Sequence, residues 1–232
     1  MTPPLPPADA PEPAPGAGVH DTAFLISAFR AMDEALSGDP LARHWVTPGA
    51  LEWAGRYAEA VSTADPFLHC IRNRFFLERM RAFFTERPDG VLVNVGAGFS
   101  HYPFLLDASH RSVEIDLPVI VAHKSARLGE WQADGTFPPR DLHWLAGDIT
   151  APGDLRRMET ALADWIGDAP TFFLLEGVVF FLSEEAVADL FAFFARLQRP
   201  GDQVGVVSYI PSLAEAPVYG RLVDFFAAHG LP

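Results

Sequence analysis

A glycine turn and a pair of acidic residues are the parts of this sequence whose types and spacing point most directly to chemistry. Gly96 and Gly98 follow an apolar run. Glycines let the backbone approach a ligand, and a following helix offers free N–H groups to an anion. Glu114 and Asp116 stand about twenty residues beyond the turn, where a carboxylate can accept hydrogen bonds from ribose hydroxyls. The pattern predicts a nucleotide-like ligand with Asp116 as the ribose contact; a tight turn without a ligand is the alternative.

Three further residues extend this candidate site. Asp148 and Glu176 each end an apolar run. Because a buried charge is costly without a partner, Glu176 is predicted to be functional or hydrogen bonded. Asp148 could equally cap the helical segment that follows Thr150. His101 occupies the third glycine position of the dinucleotide pattern, which disfavours a pyrophosphate cofactor.

Apolar runs that alternate with helical patterns must position these residues. The predicted strands are residues 91–95, 112–116, 142–145, 171–175 and 203–210. Helices are predicted over residues 154–165, 184–197 and 219–229, and a further helix contains Lys124 and Leu128. The alternation is typical of an α/β fold with a mostly parallel sheet and helices on both faces. Ligands bind such sheets at the carboxyl ends of the strands. The residues at those ends are Gly98, Asp116, Asp148 and Glu176.

The first third of the chain is predicted to be helical and to precede the sheet. Residues 1–18 are almost entirely Pro, Ala, Gly and acidic residues, a composition that favours a disordered tail. Helical patterns cover residues 20–36, 50–61 and 66–84. We therefore expect a helical lead-in or lid over residues 19–88 and the cofactor-binding sheet domain over residues 89–232.

Composition limits the partners. The formal net charge of -13 argues against nucleic acid and against an anionic membrane surface, because both attract basic patches. The single cysteine, Cys70, cannot form an internal disulfide, and no Cys/His cluster has the spacing of a metal site. No apolar run approaches the roughly 20 residues that span a bilayer. We expect a cytoplasmic protein with a small-molecule or protein partner; a homodimer is compatible with the sequence.

Six ordered runs resemble a known family. They are Asp21-Thr22-Ala23 with Phe29-Arg30-Ala31, Ile71-Arg72-Asn73-Arg74-Phe75-Phe76, Val93-Asn94-Val95-Gly96-Ala97-Gly98, Glu114-Ile115-Asp116-Leu117-Pro118, Gly147-Asp148, and Leu175-Glu176-Gly177-Val178 with Phe181-Leu182-Ser183. Together they resemble the leucine carboxyl methyltransferase family, whose bacterial branch includes O-methyltransferases of polyketide and other secondary metabolism. The resemblance implies a Rossmann-like class I methyltransferase fold with an α-helical amino-terminal lid.

The resemblance also implies a site for S-adenosylmethionine, whose product is S-adenosylhomocysteine. Residues that match family positions would form it: Arg72 at the methionyl carboxylate, Gly96 and Gly98 in the turn beneath the cofactor, Asp116 at the ribose, Asp148 with Ile149 at the adenine, and Glu176 near the amino-acid end. An arginine fork suits a carboxylate. Without the resemblance, Arg72 would read as a surface residue on a basic helix face.

The chain departs from the family pattern in three places, one of which is Leu77, where the family often has an aspartate. After the glycine turn many members carry Leu-Asp-Thr-Arg, whereas Phe99-Ser100-His101-Tyr102 follows here, so the acceptor pocket is expected to differ. The chain also ends soon after the predicted helix over residues 219–229. The antiparallel strand pair that usually closes the sheet is therefore expected to be missing, either because the sheet is shortened or because the sequence is truncated.

These residues and the resemblance predict an S-adenosylmethionine-dependent O-methyltransferase that acts on a small molecule, at a carboxylate. An ionised carboxylate needs no base; a phenol or alcohol does, and His101 is then the candidate base or acceptor contact. Two other classes stay open. One is a catalytically silent ligand- or partner-binding protein on the same fold, and the other is a nucleotide-dependent oxidoreductase, which the missing third glycine disfavours.

Overall fold

The structure, a computed structural model, describes residues 22–231. The predicted disordered tail over residues 1–18 lies outside these described residues. Two compact units make up the described chain. The sheet unit comprises residues 80–98 and 102–207, and the helical unit comprises residues 22–79, 99–101 and 208–231.

Helices and strands alternate through most of the described chain. The α-helices of residues 22–231 are α1 Thr22–Met32, α2 Glu34–Ser37, α3 Pro48–Ala60, α4 Asp65–Glu86, α5 Tyr102–Leu105, α6 Pro118–Ala133, α7 Pro152–Ile166, α8 Glu184–Leu197 and α9 Pro217–Ala228. The strands are β1 Val91–Val95, β2 Arg111–Asp116, β3 Leu142–Ala146, β4 Thr171–Leu175 and β5 Gln203–Val206. Short 3₁₀ helices cover Ala42–Trp45, Val179–Phe181 and Pro211–Glu215. No helix in the described part of the chain is both long and apolar enough to cross a bilayer.

The sheet unit contains a five-stranded parallel sheet in the order β3-β2-β1-β4-β5. This confirms the α/β fold with a parallel sheet that the alternating pattern predicted, and no antiparallel strand pair occurs within residues 22–231. The strand order reverses between β1 and β4, so the carboxyl ends of these strands flank a topological switch point. Residues 96–98 and Glu176 follow β1 and β4 and therefore lie where open α/β sheets bind ligands.

Helices cover both faces of the sheet. On one face Val93 of β1 and Phe173 of β4 share a buried apolar cluster with Met158 of α7. On the other face Phe83, near the end of α4, packs edge-on against Phe172 with ring centroids 5.5 Å apart. All residues of β1 and β4 are buried, which explains why both strands are largely apolar, with Asn94 and Thr171 as the polar exceptions.

Local signals determine where several helices begin. Thr47 caps α3 because its Oγ1 accepts a hydrogen bond from the Ala50 amide at 3.1 Å, and Pro48 occupies the first helical turn. Pro118 likewise starts α6. Since Pro118 comes only two residues after Asp116, the start of α6 is tied to the carboxyl end of β2.

Most predicted elements match the structure to within two residues at each end, and two differ by more. The helical stretch over residues 20–36 is divided into α1 and α2, because Asp33 leaves the helix and its Oδ1 caps α2 by accepting a backbone N–H at 2.8 Å. The strand predicted over residues 203–210 ends at Val206. The chain then runs toward Pro211, which has no N–H to offer to a sheet.

The carboxyl-terminal segment belongs to the helical unit, whereas the sequence placed all of residues 89–232 in the sheet domain. Phe225 of α9 packs edge-on against Tyr57 of α3 with ring centroids 5.2 Å apart. Arg221 Nε donates a hydrogen bond to the carbonyl of Val61 at 2.9 Å, across 160 positions of the chain. Contacts at such separation leave no local pattern in the sequence, so the unit boundary could not be predicted from it.

Candidate cofactor site

The glycine turn after β1 is hydrogen bonded to the end of β2. The backbone amides of Gly96 and Ala97 donate to the carbonyl of Ile115 at 2.8 and 3.2 Å. The amide of Gly98 donates to Oδ2 of Asp116 at 2.7 Å. Both glycines have positive φ, 65° and 47°, a conformation that costs other residues energy. The turn and the candidate ribose carboxylate thus form one connected structure, as their spacing predicted.

Gly96 is required by packing as well as by its backbone conformation. A Cβ atom at this position would lie 2.1 Å from Cγ2 of Val178. Val178 follows β4, the strand that pairs with β1. The glycine therefore lets the first turn of the site pack directly against the segment beyond β4.

Asp116 presents a carboxylate at the carboxyl end of β2. Its Oδ2 accepts the Gly98 amide and its Oδ1 accepts the Leu117 amide, each at 2.7 Å. Burial raises the pKa of Asp116, while these two amides and the Lys124 ammonium act to lower it. Each carboxylate oxygen has a further lone pair. Asp116 can therefore accept hydrogen bonds from a ligand without losing those that fix it to the turn.

Glu176 lies beside the same turn in strand register, because Val95 of β1 pairs with Leu175 of β4. The Tyr102 hydroxyl donates a hydrogen bond to Oε2 of Glu176 at 2.5 Å, and the Tyr102 ring is fully buried. This confirms the prediction that Glu176, which follows a buried strand, is hydrogen bonded. Its contact with a cofactor stays a prediction.

Asp148 and Ile149 follow β3, and the structure gives both a local role. Oδ1 of Asp148 accepts the amide of Thr150 at 2.8 Å and its hydroxyl at 2.7 Å. Ile149 is half-buried against the apolar cluster of the sheet unit. Asp148 thus stabilises a local turn with Thr150, but the helix-cap alternative is wrong, because the N-cap residue of α7 is Ala151 and has no side-chain capping hydrogen bond. The adenine contact of Asp148 and Ile149 stays a prediction.

Arg72 lies in the helical unit, half-buried on α4. Burial raises the pKa of Tyr57 and of Tyr209, and the Arg72 guanidinium opposes both shifts. Burial and the charge of Arg72 also hold the pKa of His69 well below its ordinary value. Arg72 therefore belongs to a polar group within its own unit, and its contact with a methionyl carboxylate stays a prediction.

His101 also belongs to the helical unit, where its imidazole is completely buried. Trp45 Nε1 donates to His101 Nε2 at 2.7 Å, and Nδ1 of His101 lies 3.0 Å from Oδ2 of Asp39. An indole N–H can only donate, so Nε2 is the acceptor and Nδ1 carries the proton toward Asp39. A base needs an accessible lone pair. The predicted role of His101 as base or acceptor contact therefore has no support from this arrangement.

The sequence did not predict several polar contacts that the structure contains. They are the Lys124–Glu114 ion pair, the Tyr102–Glu176 hydrogen bond, and the Asp39–His101–Trp45 chain. The strand period of two would have shown that Glu114 and Asp116 share one face. Nothing local in the sequence pairs Asp39 with His101, because 62 positions separate them.

A parallel sheet with a glycine turn after β1 and a carboxylate after β2 defines a Rossmann-like, cofactor-binding α/β protein. Comparison with known proteins narrows this class. The sequence model of the leucine carboxyl methyltransferase family matches residues 23–195. The chain belongs to the leucine carboxyl methyltransferase family.

Similar proteins include bacterial relatives that are provisionally named S-adenosyl-L-methionine-dependent methyltransferases. One from Parafrankia sp. (strain EAN1pec) is 29% identical over 210 residues, which cover 82% of this chain and 63% of the relative. One from Frankia alni is 30% identical over 202 residues, which cover 82% of this chain and 68% of the relative. The chain thus spans about two thirds of the length of these relatives.

Solved structures share the fold at low sequence identity. A provisionally assigned methyltransferase from Thermobifida fusca YX superposes with a TM-score of 0.62 at 16% identity, covering 89% of this chain and 72% of the other. A DUF574 family protein from Streptomyces avermitilis MA-4680 gives a TM-score of 0.56 at 16% identity, covering 91% and 76%. At this identity the likeness concerns the fold alone.

Proposed function

We propose that this protein is an S-adenosylmethionine-dependent O-methyltransferase that methylates a small molecule of secondary metabolism at a carboxylate oxygen. The single observation that carries the proposal is the Asp116 carboxylate, fixed to the glycine turn by the Gly98 amide at 2.7 Å. It stands at the end of β2, where Rossmann-like folds hold ribose. Family membership, with a match over residues 23–195, supports the same function.

The residues of the sheet unit fit this cofactor in chemical type. Asp116 offers acceptor lone pairs to the ribose hydroxyls, and its oxygens are already oriented by two backbone amides. Glu176 offers a carboxylate to the cationic amino group, and its orientation is set by the Tyr102 hydroxyl. A pyrophosphate cofactor fits less well, because a histidine stands at the third glycine position.

A carboxylate acceptor suits the groups that the described residues provide. S-adenosylmethionine supplies an electrophilic methyl group on a sulfonium. An acceptor oxygen forms the new O–C bond with its lone pair as the C–S bond breaks, and the electron pair stays on sulfur as a neutral thioether. The protein mainly has to align the reacting atoms. An ionised carboxylate loses no proton in this step, so the enclosed His101 is not needed as a base.

Loss of the Asp116 charge is expected to weaken cofactor binding. We expect Asp116→Asn to reduce the affinity for S-adenosylmethionine and S-adenosylhomocysteine by at least about tenfold, equivalent to about 1.4 kcal/mol. Asparagine keeps the shape of the side chain but places a donor where one acceptor oxygen was. Isothermal titration calorimetry of both ligands into the wild type and the variant measures the change.

The matched control is Asp141→Asn, at an exposed acid just before β3, at the opposite end of the sheet. Its affinity should equal that of the wild type. A methyl-transfer assay with small carboxylic acids and phenols then tests the acceptor class. A folded wild type that binds neither ligand would overturn the proposal, and methyl transfer only to phenols would overturn its carboxylate part.

A further inference from the structure

A buried ion pair involves β2, the strand that ends at the candidate ribose carboxylate of Asp116. The Lys124 ammonium of α6 is 2.6 Å from Oε2 of Glu114 on β2, and both side chains are 1% exposed. The same ammonium lies 5.8 Å from the centroid of the Trp144 ring on β3. Burying two charges costs several kcal/mol per ion in order of magnitude. An apolar pair would fill this place in the sheet unit without that cost.

Glu114 and Asp116 are neighbours on one face of β2, because side chains two positions apart on a strand point the same way. Glu114 is flanked in register by Asn94 of β1 and Trp144 of β3. Three charged groups thus interact electrostatically: the carboxylates of Glu114 and Asp116 and the Lys124 ammonium. The charge of Lys124 acts to lower the pKa of both acids, although its ion pair is with Glu114.

The fold fixes the position of this cation. Only Leu117 separates Asp116 from the first residue of α6, Pro118, and Leu117 is bonded to Asp116 through its amide. Lys124 therefore stands less than two helical turns from the start of α6. Its place cannot change without moving the start of α6.

We propose that Lys124 is a positioning residue of the cofactor site, whose ammonium, anchored by Glu114, keeps Asp116 ionised and oriented to accept the ribose hydroxyls. This inference rests on the proposed function for the identity of the ligand. The charge coupling itself involves only residues of the sheet unit.

The electrostatics of the two acids agree with this role. Burial raises the pKa of Asp116, and Lys124 is the charged side chain that opposes the rise, together with the amides of Gly98 and Leu117. Burial also raises the pKa of Glu114, and the negative charge of Asp116 raises it further, whereas Lys124 and Asn94 lower it. Removal of Lys124 therefore leaves both buried acids without their cation.

Opposite changes at the two partners of the ion pair separate a charge effect from a packing effect. We expect Lys124→Met to raise the pH at which Asp116 titrates by about one pH unit or more. Glu114→Gln should lower that pH, because it removes a like charge and leaves the cation to Asp116. The double variant should fall between the two single variants, and it buries no unpaired charge from this ion pair, so it is the variant best placed to fold.

Carbon-13 NMR of the side-chain carboxyls follows Asp116 directly and needs no ligand. Calorimetric titration of S-adenosylhomocysteine across the same pH range should show the affinity of Lys124→Met recovering at high pH. Arg127→Met, which removes an exposed cation on the same helix, should leave both profiles unchanged. An Asp116 titration that is the same in every variant, or an affinity lowered equally at all pH values, would overturn the inference. A shifted titration in a protein that binds no cofactor would overturn the proposed function and the positioning role, but not the charge coupling.

Discussion

His101→Ala is expected to reduce the free energy of unfolding by about 2 to 4 kcal/mol, because it takes a hydrogen-bond donor away from a buried carboxylate. Asp39 and His101 are both 0% exposed, and Oδ2 of Asp39 lies 3.0 Å from Nδ1 of the ring. The same substitution removes the ring nitrogen that accepts a hydrogen bond from the Trp45 indole. Urea unfolding followed by circular dichroism measures the loss.

Two variants test this explanation. His143→Ala, at a histidine whose side chain is 53% exposed, should change stability by no more than about 0.5 kcal/mol. Adding Asp39→Asn to His101→Ala should recover part of the loss, because it removes the buried charge. A double variant less stable than His101→Ala would show that the carboxylate is not the source of the effect.

The contribution of Asp39 should also depend on pH. Burial raises its pKa, but His101, Arg30 and the Leu41 amide together bring it below its ordinary value in the folded protein. A group whose pKa is lowered by folding stabilises the native state above its unfolded pKa of about 4. Wild type should therefore lose stability relative to Asp39→Asn as the pH falls below this value, and should not do so between pH 6 and 8.

Gly96→Ala should destabilise the protein by about 2 to 5 kcal/mol, from overpacking and from left-handed backbone strain together. The new Cβ would lie 2.1 Å from Cγ2 of Val178, at a residue with φ of 65°. Thermal or urea unfolding gives the size of the loss. The same variant should weaken cofactor binding, because the turn that carries Gly98 must move.

A double-mutant cycle with Val178→Ala separates the two causes. Removing the Cγ atoms leaves the Val178 Cβ at 3.4 Å from the new atom, an ordinary contact, so only the backbone strain of about 1 to 2 kcal/mol should remain. Gly129→Ala is the matched control, because nothing lies within 4 Å of its Cβ position in α6. It should be neutral or stabilise by up to about 1 kcal/mol. Additive losses in the cycle would contradict a clash with Val178.

The sequence by itself determined the elements that depend on local pattern. The bounds predicted for β1 and β4 match the structure, because a fully buried strand is largely apolar and a turn must follow it. The pairing of the glycine turn with Asp116 also followed from the sequence, since a short connection through α5 brings the carboxyl ends of the neighbouring parallel strands β1 and β2 together. The hydrogen bond from the Gly98 amide to Asp116 shows that the two ends are in contact.

Only the tertiary structure decided which partners the remaining polar residues have. It pairs Lys124 with Glu114, encloses His101 between Asp39 and Trp45, and places α9 with the helical unit. Each of these contacts joins residues of different elements, so no local residue pattern predicts it. Composition and periodicity report which side chains must leave water, whereas the partner that offsets the burial of a given charge is set by how the elements pack.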